Sequence, residues 1–178
     1  MTASTILFDP AAAPVFGFLG LAAQSGWPLL RSREAMLTGQ LSAACCYATS
    51  YALMGRETAT AMCLIGAIQT TVALLARERS WLSGMGYLFL PVVLAAGVLT
   101  YSGLPTIFAI TACCLTLVGR LQPDTLRMRG IQMTASPFGA AHDAVVGAWP
   151  CLVAATLSFA IALAAFRREL QRRRISVS

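Results

Sequence analysis

The sequence predicts an all-α membrane protein, a bundle of about seven transmembrane helices, from three observations. Of its 178 residues, 57% are apolar and 11% are charged, whereas a soluble domain carries about 25% charged residues. Seven apolar stretches reach or approach the length of about 20 residues that a helix needs to cross a bilayer. Arginine is concentrated in alternate connections between these stretches, as expected when basic loops stay in the cytoplasm. A chain of this size cannot bury so much apolar surface in a globule, so we expect lipid to surround it.

The predicted spans follow one another with short connections. The charged run from Arg31 to Glu34 ends the first span, because a charge at the centre of a bilayer costs about 3 kcal/mol. Gly103 and Pro105 make a turn that carries no charge. The fifth and seventh spans are the shortest, so six spans with one re-entrant segment is the alternative. The seven predicted spans cover residues 13–30, 35–54, 58–76, 82–101, 105–119, 130–146 and 150–166.

The basic residues divide unequally between the two sides of the predicted bundle. All 13 of them are arginine. When the connections are numbered in order, Arg56 alone lies on the side of the N-terminus, and the other 12 lie on the side of the C-terminus. Basic residues are retained in the cytoplasm. We therefore expect a bacterial inner membrane protein with a periplasmic N-terminus and a cytoplasmic C-terminus, which requires an odd number of spans and favours seven.

We predict one membrane domain made of two three-helix units, residues 13–76 and 105–166, with a spacer helix at 82–101 between them. A basic tail, 167–178, follows and carries five arginines. Each arginine near an anionic membrane surface adds about 1 kcal/mol of attraction. We therefore expect this tail to lie on anionic lipids of the cytoplasmic leaflet.

The two units are related by a shift of 92 residues without gaps. This shift places spans one to three over spans five to seven, and it aligns Gln40 with Gln132. Both units have a basic loop after their first helix. Residue identity is near chance for so alanine-rich a chain, so the order of helices and charged loops is the stronger sign of a repeat. The shift also aligns Phe16 with Phe108, Met36 with Met128, and Gly55 with Gly147.

The stretch from Arg127 to Trp149 resembles the YgjV-type family of bacterial inner-membrane proteins. In that family the second and sixth helices begin with basic residues, carry a late polar residue, and end near a glycine. The positions that match are Arg31, Arg33 and Gly55 in the first half, with Tyr51 or Ser50 at the late polar position, and Arg127, Arg129, His142 and Gly147 in the second half.

The resemblance to this family implies a fold and no assigned biochemistry. Its plan of three helices, a spacer and three helices is similar to that of the sugar and PQ-loop type transporters. Those transporters place a solute site between two three-helix units. That comparison is an analogy of fold alone.

Polar side chains inside the spans are the candidate site residues, because they are costly in lipid and turn towards the bundle interior. Gln40 and Gln132 occupy equivalent places in spans two and six. They line a solute path, or they tie neighbouring helices together, and the second interpretation is favoured. Tyr47 and Tyr51 lie one turn apart on span two. They complete the predicted substrate-binding group on that helix.

His142 and Asp143 are the only histidine and the only acidic residue well inside a predicted span. A carboxylate beside a histidine makes a pair that responds to protons. Adjacent helical residues point about 100° apart, so proton coupling requires a third partner that the sequence does not identify. In the alternative, Asp143 reaches the outer interface and His142 bonds a neighbouring helix.

Two prolines lie inside predicted spans, Pro91 in the fourth and Pro137 in the sixth. A proline removes a backbone hydrogen bond and kinks a helix. Such kinks are hinges for alternating access or fixed bends that pack around neighbours. Fixed bends are favoured, and both prolines are candidate hinges.

Catalytic and metal-binding patterns are missing from the sequence, which contains no GxSxG, Walker A or HExxH motif. The paired cysteines and single histidine do not provide the spacing of a metal site, and basic residues lie at helix ends rather than in a nucleic-acid groove. We expect no enzyme activity, cofactor, metal or nucleic-acid partner. The sequence favours a small-solute transporter or facilitator. The alternative is an accessory or assembly protein without transport activity, bound to a membrane partner or to further copies of itself.

Overall fold

The computed structural model describes residues 10–55, 57–76, 80–99, 101–147 and 149–175. All regular structure in these ranges is helical, which confirms the predicted all-α fold. The predicted loop residues Arg56, Arg77 and Arg79 and the chain after Ile175 lie outside them. The α-helices are α1 (Ala13–Gly26), α2 (Arg33–Leu53), α3 (Glu57–Leu75), α4 (Ser80–Tyr87), α5 (Phe89–Leu99), α6 (Leu104–Arg120), α7 (Thr125–Val145) and α8 (Trp149–Ile175).

These helices differ from the predicted spans at several places. Helix α1 ends at Gly26, and a turn of 3-10 helix, Trp27–Leu29, completes the first predicted span. The fourth predicted span is divided between α4 and α5. Over the described residues, the combination of length and apolar composition required for crossing a membrane is found in none of the helices.

The division between α4 and α5 has a local cause. Pro91 has no backbone N–H, so it cannot donate to the carbonyl of Tyr87 as a helix would require. The chain tightens there instead, and Leu88 N donates to Met85 O at 3.0 Å. Pro91 therefore lies in the first turn of α5, which begins after the break.

Helix α7 begins at Thr125, although the sixth span was predicted to begin only at residue 130. The carboxylate of Asp124 accepts a hydrogen bond from Arg127 N at 2.9 Å, which caps the helix at this earlier point. Arg129 thereby becomes part of the helix and is only 4% exposed. The charge of arginine predicts that Arg129 lies outside the span, but two nitrogens of its guanidinium donate to backbone carbonyls, described below.

The basic tail is helical as far as Ile175, because α8 continues through it. Arg173 donates to Asp124 Oδ2 at 2.8 Å and to Glu169 Oε1 at 3.4 Å. Burial alone would raise the pKa of Asp124, but hydrogen bonds from Arg127 N and Arg173 outweigh it and lower that pKa. The contact between Asp124 and Arg173 is therefore present at neutral pH and weakens only as the pH falls through this lowered pKa.

Each half of the chain is organised around its second helix. Helices α1 and α3 pack against α2, and α6 and α8 pack against α7. A buried apolar cluster joins the two halves at the end of the bundle where α2 and α7 begin. It contains Trp27, Met36, Leu37, Ala73, Leu121 and Met128.

Candidate functional site

The two central helices, α2 and α7, have bounds that differ by 92 residues at both ends. At their starts, Ser32 and Asp124 each accept a hydrogen bond from the backbone N–H three residues further on, at 3.1 and 2.9 Å. Beyond their ends, Gly55 and Gly147 have φ angles of 67° and 73°, a left-handed conformation that glycine adopts without strain. The register found in the sequence therefore describes the local structure of both helices.

Gln40 and Gln132 meet where α2 and α7 cross. Gln40 Nε2 donates to Gln132 Oε1 at 3.0 Å, and Gln132 Nε2 donates to Gln40 Oε1 at 3.3 Å. Their residues are 3% and 6% exposed. This reciprocal amide pair joins equivalent positions of the two halves. The geometry agrees with the interpretation that these glutamines tie helices together.

Arg120 is a member of this group that the sequence argument missed. It is the last residue of α6, and its Cα–Cβ bond tilts towards the start of the helix, so the side chain turns back into the bundle. Arg120 Nε donates to Gln40 Oε1 at 2.8 Å, and Nη1 donates to Gln69 Oε1 at 2.9 Å. Gln69, on α3, is completely buried. In the sequence, Arg120 directly follows the fifth predicted span. The tilt of a side chain at the end of a helix was the signal that could have placed it inside the bundle.

Two cavities meet at the contact between Gln40 and Arg120. The larger has a volume of about 340 Å³ and lies among α1, α2, α3, α5 and α6, with Tyr47 in its wall. The smaller has a volume of about 190 Å³ and is lined by Gln132 on α7. Gln24, Gln40 and Arg120 line both cavities. Three of the predicted substrate-binding residues thus line these cavities: Gln40 lines both, Tyr47 lines the larger and Gln132 lines the smaller.

The other predicted substrate-binding residues lie apart from the amide pair. Tyr51 stacks on Tyr47, with ring centroids 6.4 Å apart and planes inclined by 27°. His142 Nδ1 and Asp143 Oδ1 are 3.1 Å apart, although we expected adjacent helical side chains to diverge. The side chains are 35% and 21% exposed. Among the described residues, no third side chain hydrogen-bonds to this pair, which lies about 15 Å along α7 from Gln132 at 1.5 Å per residue.

The candidate hinge residues occupy different surroundings. Pro91 follows the break between α4 and α5, whereas Pro137 lies inside α7, which continues without interruption from Thr125 to Val145. A role for either proline as a hinge stays a prediction.

Two further arginines connect the halves through backbone carbonyls. Arg33 donates to Ala73 O at 3.0 Å and to Gln122 O at 2.7 Å. Arg129 donates to Ala165 O at 3.4 Å and also to Leu30 O. Each arginine therefore joins the third helix of its own half to the connection between the first two helices of the other half.

The carbonyls that accept from Arg33 and Arg129 occupy positions related by the 92-residue shift, but the two arginines do not. Ala165 lies 92 residues after Ala73, and Gln122 lies 92 residues after Leu30. Arg33 aligns with Thr125 and Arg129 with Leu37, so the two arginines are offset by one helical turn on the same face. The long, flexible side chains span this offset, so the two arginines reach equivalent carbonyls of the two halves.

A family model described as a bacterial inner membrane protein, Imp-YgjV, matches residues 11–173. The chain belongs to this family. The match covers both halves of this Imp-YgjV protein, including Arg33, Arg120 and Arg129. It confirms the resemblance noted in the sequence. No curated protein and no solved structure matches the chain.

The amide pair leads to a first prediction. Gln132→Ala leaves Gln40 Nε2 buried without its acceptor, and an unsatisfied buried polar group costs about 1–2 kcal/mol. Gln24→Ala is the matched control, because this glutamine is exposed and such a change usually stays within about 0.5 kcal/mol. Denaturant unfolding in detergent measures both. Equal stabilities of the two variants would contradict the structural role of the pair.

Proposed function

We propose that this Imp-YgjV protein is a small-solute transporter or facilitator of the inner membrane. The observation that supports the proposal is the pair of cavities that adjoin the contact between Gln40 and Arg120. Small-molecule sites usually occupy about 300–1,000 Å³ and combine apolar walls with a few polar groups. The larger cavity, about 340 Å³, falls within this range, and Arg120, Gln40 and Tyr47 supply polar groups.

The proposal includes a topology of seven spans with a periplasmic N-terminus and a cytoplasmic C-terminus. Helices α4 and α5 together would form the spacer span, so that the two halves would cross the membrane in the same direction. The equal bounds of α2 and α7 support such parallel units. The concentration of arginine at the starts of these two helices supports a cytoplasmic position for those ends.

Flux measurements test the transport proposal. The purified protein would be reconstituted into liposomes and supplied with a panel of small acids, amides, amines and sugars. We expect Gln40→Ala and Gln132→Ala to lower the flux of a transported solute at least tenfold, because Gln40 lines both cavities and Gln132 lines the smaller one. His142→Ala tests whether the pair with Asp143 also belongs to the path.

Arg127→Gln is the control for the flux measurement, because Arg127 is exposed and lines neither cavity. Its flux should equal that of the unchanged protein. Unchanged flux in the variants at Gln40, Gln132 and His142 would refute this site. Absence of flux for the whole panel, together with stoichiometric copurification of a membrane protein, would favour an accessory or assembly role instead.

We also propose that anionic lipids bind at the basic tail. A second concave site, about 120 Å³ in volume, is lined by Arg31, Arg129, Arg168 and Arg172 with Glu169 as its one carboxylate. This excess of positive charge suits an anionic headgroup.

Thermal unfolding in mixed micelles measures this preference. Adding phosphatidylglycerol should raise the melting temperature more than adding phosphatidylcholine, and Arg168→Gln with Arg172→Gln should remove the difference. The control is Arg127→Gln with Arg174→Gln, which changes the net charge equally at exposed positions outside the site. A control pair that removes the difference just as fully would contradict a defined site.

A further inference from the structure

Arg120 carries a positive charge that no acidic side chain among the described residues neutralises. Asp124 and Glu169 pair with Arg173, and Asp143 pairs with His142. The hydrogen-bonding partners of the Arg120 side chain are the neutral amides of Gln40 and Gln69. A charge removed from bulk water is costly unless it is paired. The cavities beside Arg120 therefore offer a cation that lacks an anion.

The guanidinium of Arg120 also has donors left over. It carries five N–H groups, and the two hydrogen bonds to Gln40 and Gln69 engage Nε and one N–H of Nη1. Among the described residues, the one fully enclosed side-chain nitrogen or oxygen without a partner is Arg129 Nε. The Nη2 group of Arg120 makes no hydrogen bond to those residues and is not among the enclosed atoms. It is therefore open to the surrounding cavities.

The three free N–H groups are two on Nη2 and one on Nη1, the nitrogens that form the outer edge of the guanidinium. A planar carboxylate accepts two parallel hydrogen bonds from such an edge, and this geometry is specific to guanidinium groups. One uncompensated cation matches one negative charge. A monocarboxylate suits the site better than a dianion, whose second charge would meet no cation there.

The rest of the larger cavity is mainly apolar. Away from Arg120, Gln24 and Tyr47 add polar groups, and most of the remaining wall is small or aliphatic, including Ala44, Met62, Ile65 and Val93. An apolar body would lie against these side chains, while a charged or polyhydroxylated one would lose hydrogen bonds to water. The cavity thus has one end for a carboxylate and another for a hydrocarbon group.

We propose that Arg120 and the adjoining cavity bind a small organic monocarboxylate with an apolar body. The carboxylate pairs with Nη1 and Nη2 of Arg120, and Gln40 and Gln69 hold the guanidinium in place. This inference rests on the proposed function, because it assigns the class of solute to the same site. It also makes the two glutamines positioning residues whose amides remain neutral at every pH.

Benzoate, benzamide and benzylamine are suitable probes, because they have similar size and differ in charge. In detergent at neutral pH, we expect benzoate to raise the melting temperature of the purified protein, and benzamide and benzylamine to leave it unchanged. Arg120→Gln should raise the benzoate concentration needed for the same shift in melting temperature at least tenfold. Arg127→Gln, which removes one positive charge from an exposed position, should retain the full response. Equal responses to benzoate and benzamide, or a full response in Arg120→Gln, would overturn the proposal.

A second variant keeps the test decisive if Arg120→Gln does not fold. Ala112 lines both cavities, so Ala112→Leu fills shared space while leaving Arg120 unchanged. We expect it to weaken the response to benzoate at least tenfold as well. An unaltered response in Ala112→Leu would place the binding of benzoate elsewhere and overturn the proposal.

Flux separates this inference from the proposed function. Binding of benzoate that depends on Arg120, without flux of any carboxylate, would refute transport and retain the class of ligand. Flux of a neutral solute that is unaffected by Arg120→Gln would retain transport and refute the carboxylate. Benzoate flux that is lost in Arg120→Gln supports both.

Discussion

Arg129→Ala should reduce the free energy of unfolding by about 3 kcal/mol, because hydrogen bonds from a charged donor each contribute about 1.5–3 kcal/mol. Arg129 donates to Ala165 O within its own half and to Leu30 O in the other half. The alanine variant removes both bonds and leaves the Leu30 carbonyl without this donor. Since Arg129 is 4% exposed, water cannot easily replace the guanidinium. Denaturant titration in detergent, followed by circular dichroism, measures the loss.

The control for Arg129→Ala lies two residues earlier on the same helix. Arg127 is exposed, so Arg127→Ala should change the free energy of unfolding by no more than about 0.5 kcal/mol. Arg129→Met separates packing from hydrogen bonding, because methionine restores much of the lost volume. Its loss should be smaller than that of Arg129→Ala, since burying the charge itself is unfavourable. If Arg129→Ala were as stable as Arg127→Ala, the connection between the halves would be incorrectly described.

Gly119→Ala should cost about 2–3 kcal/mol, because α6 and α7 approach closely at this glycine. A Cβ atom there would lie 2.6 Å from Gln132 Cγ and 3.4 Å from Gln132 N. Overpacking of this kind costs about 1–3 kcal/mol, and displacing Gln132 also disturbs its hydrogen bonds with Gln40. The same unfolding measurement applies.

Gly139→Ala is the matched control, because Gly139 lies on α7 and a Cβ atom there would meet nothing within 4 Å. Alanine has a higher helix propensity than glycine, so this variant should be neutral or more stable by up to about 1 kcal/mol. Opposite responses of the two glycines would support the close approach at Gly119. Similar responses would show that helix propensity alone determines the outcome.

The sequence predicted contacts best where two polar side chains occupy equivalent positions of the two halves. Gln40 and Gln132 could be paired in advance, because the repeat places them 92 residues apart and both are polar within apolar surroundings. Helical periodicity and charge likewise predicted an all-α fold. The start of α7 was missed by five residues because the charge of Arg129 was expected to require water.

The contacts of the arginines could not be predicted in the same way. Arg33 and Arg129 bind backbone carbonyls 89 and 99 residues away, and a carbonyl has the same chemistry at every position. The offset of one turn between these arginines also hides their equivalence in an alignment by residue type. The cavity at Arg120 depends on how five helices pack, which no local pattern specifies.

In the topology that we propose, the two halves are equivalent units that cross the inner membrane in the same direction. Single cysteines at Met54 and Val146, which lie 92 residues apart just after α2 and α7, test it in a chain whose six native cysteines are replaced. The account predicts that a membrane-impermeant maleimide labels both from the periplasm, while cysteines at Arg31 and Pro123 react only after permeabilisation. Labelling of the cysteines at positions 54 and 146 from opposite sides of the membrane would contradict this topology.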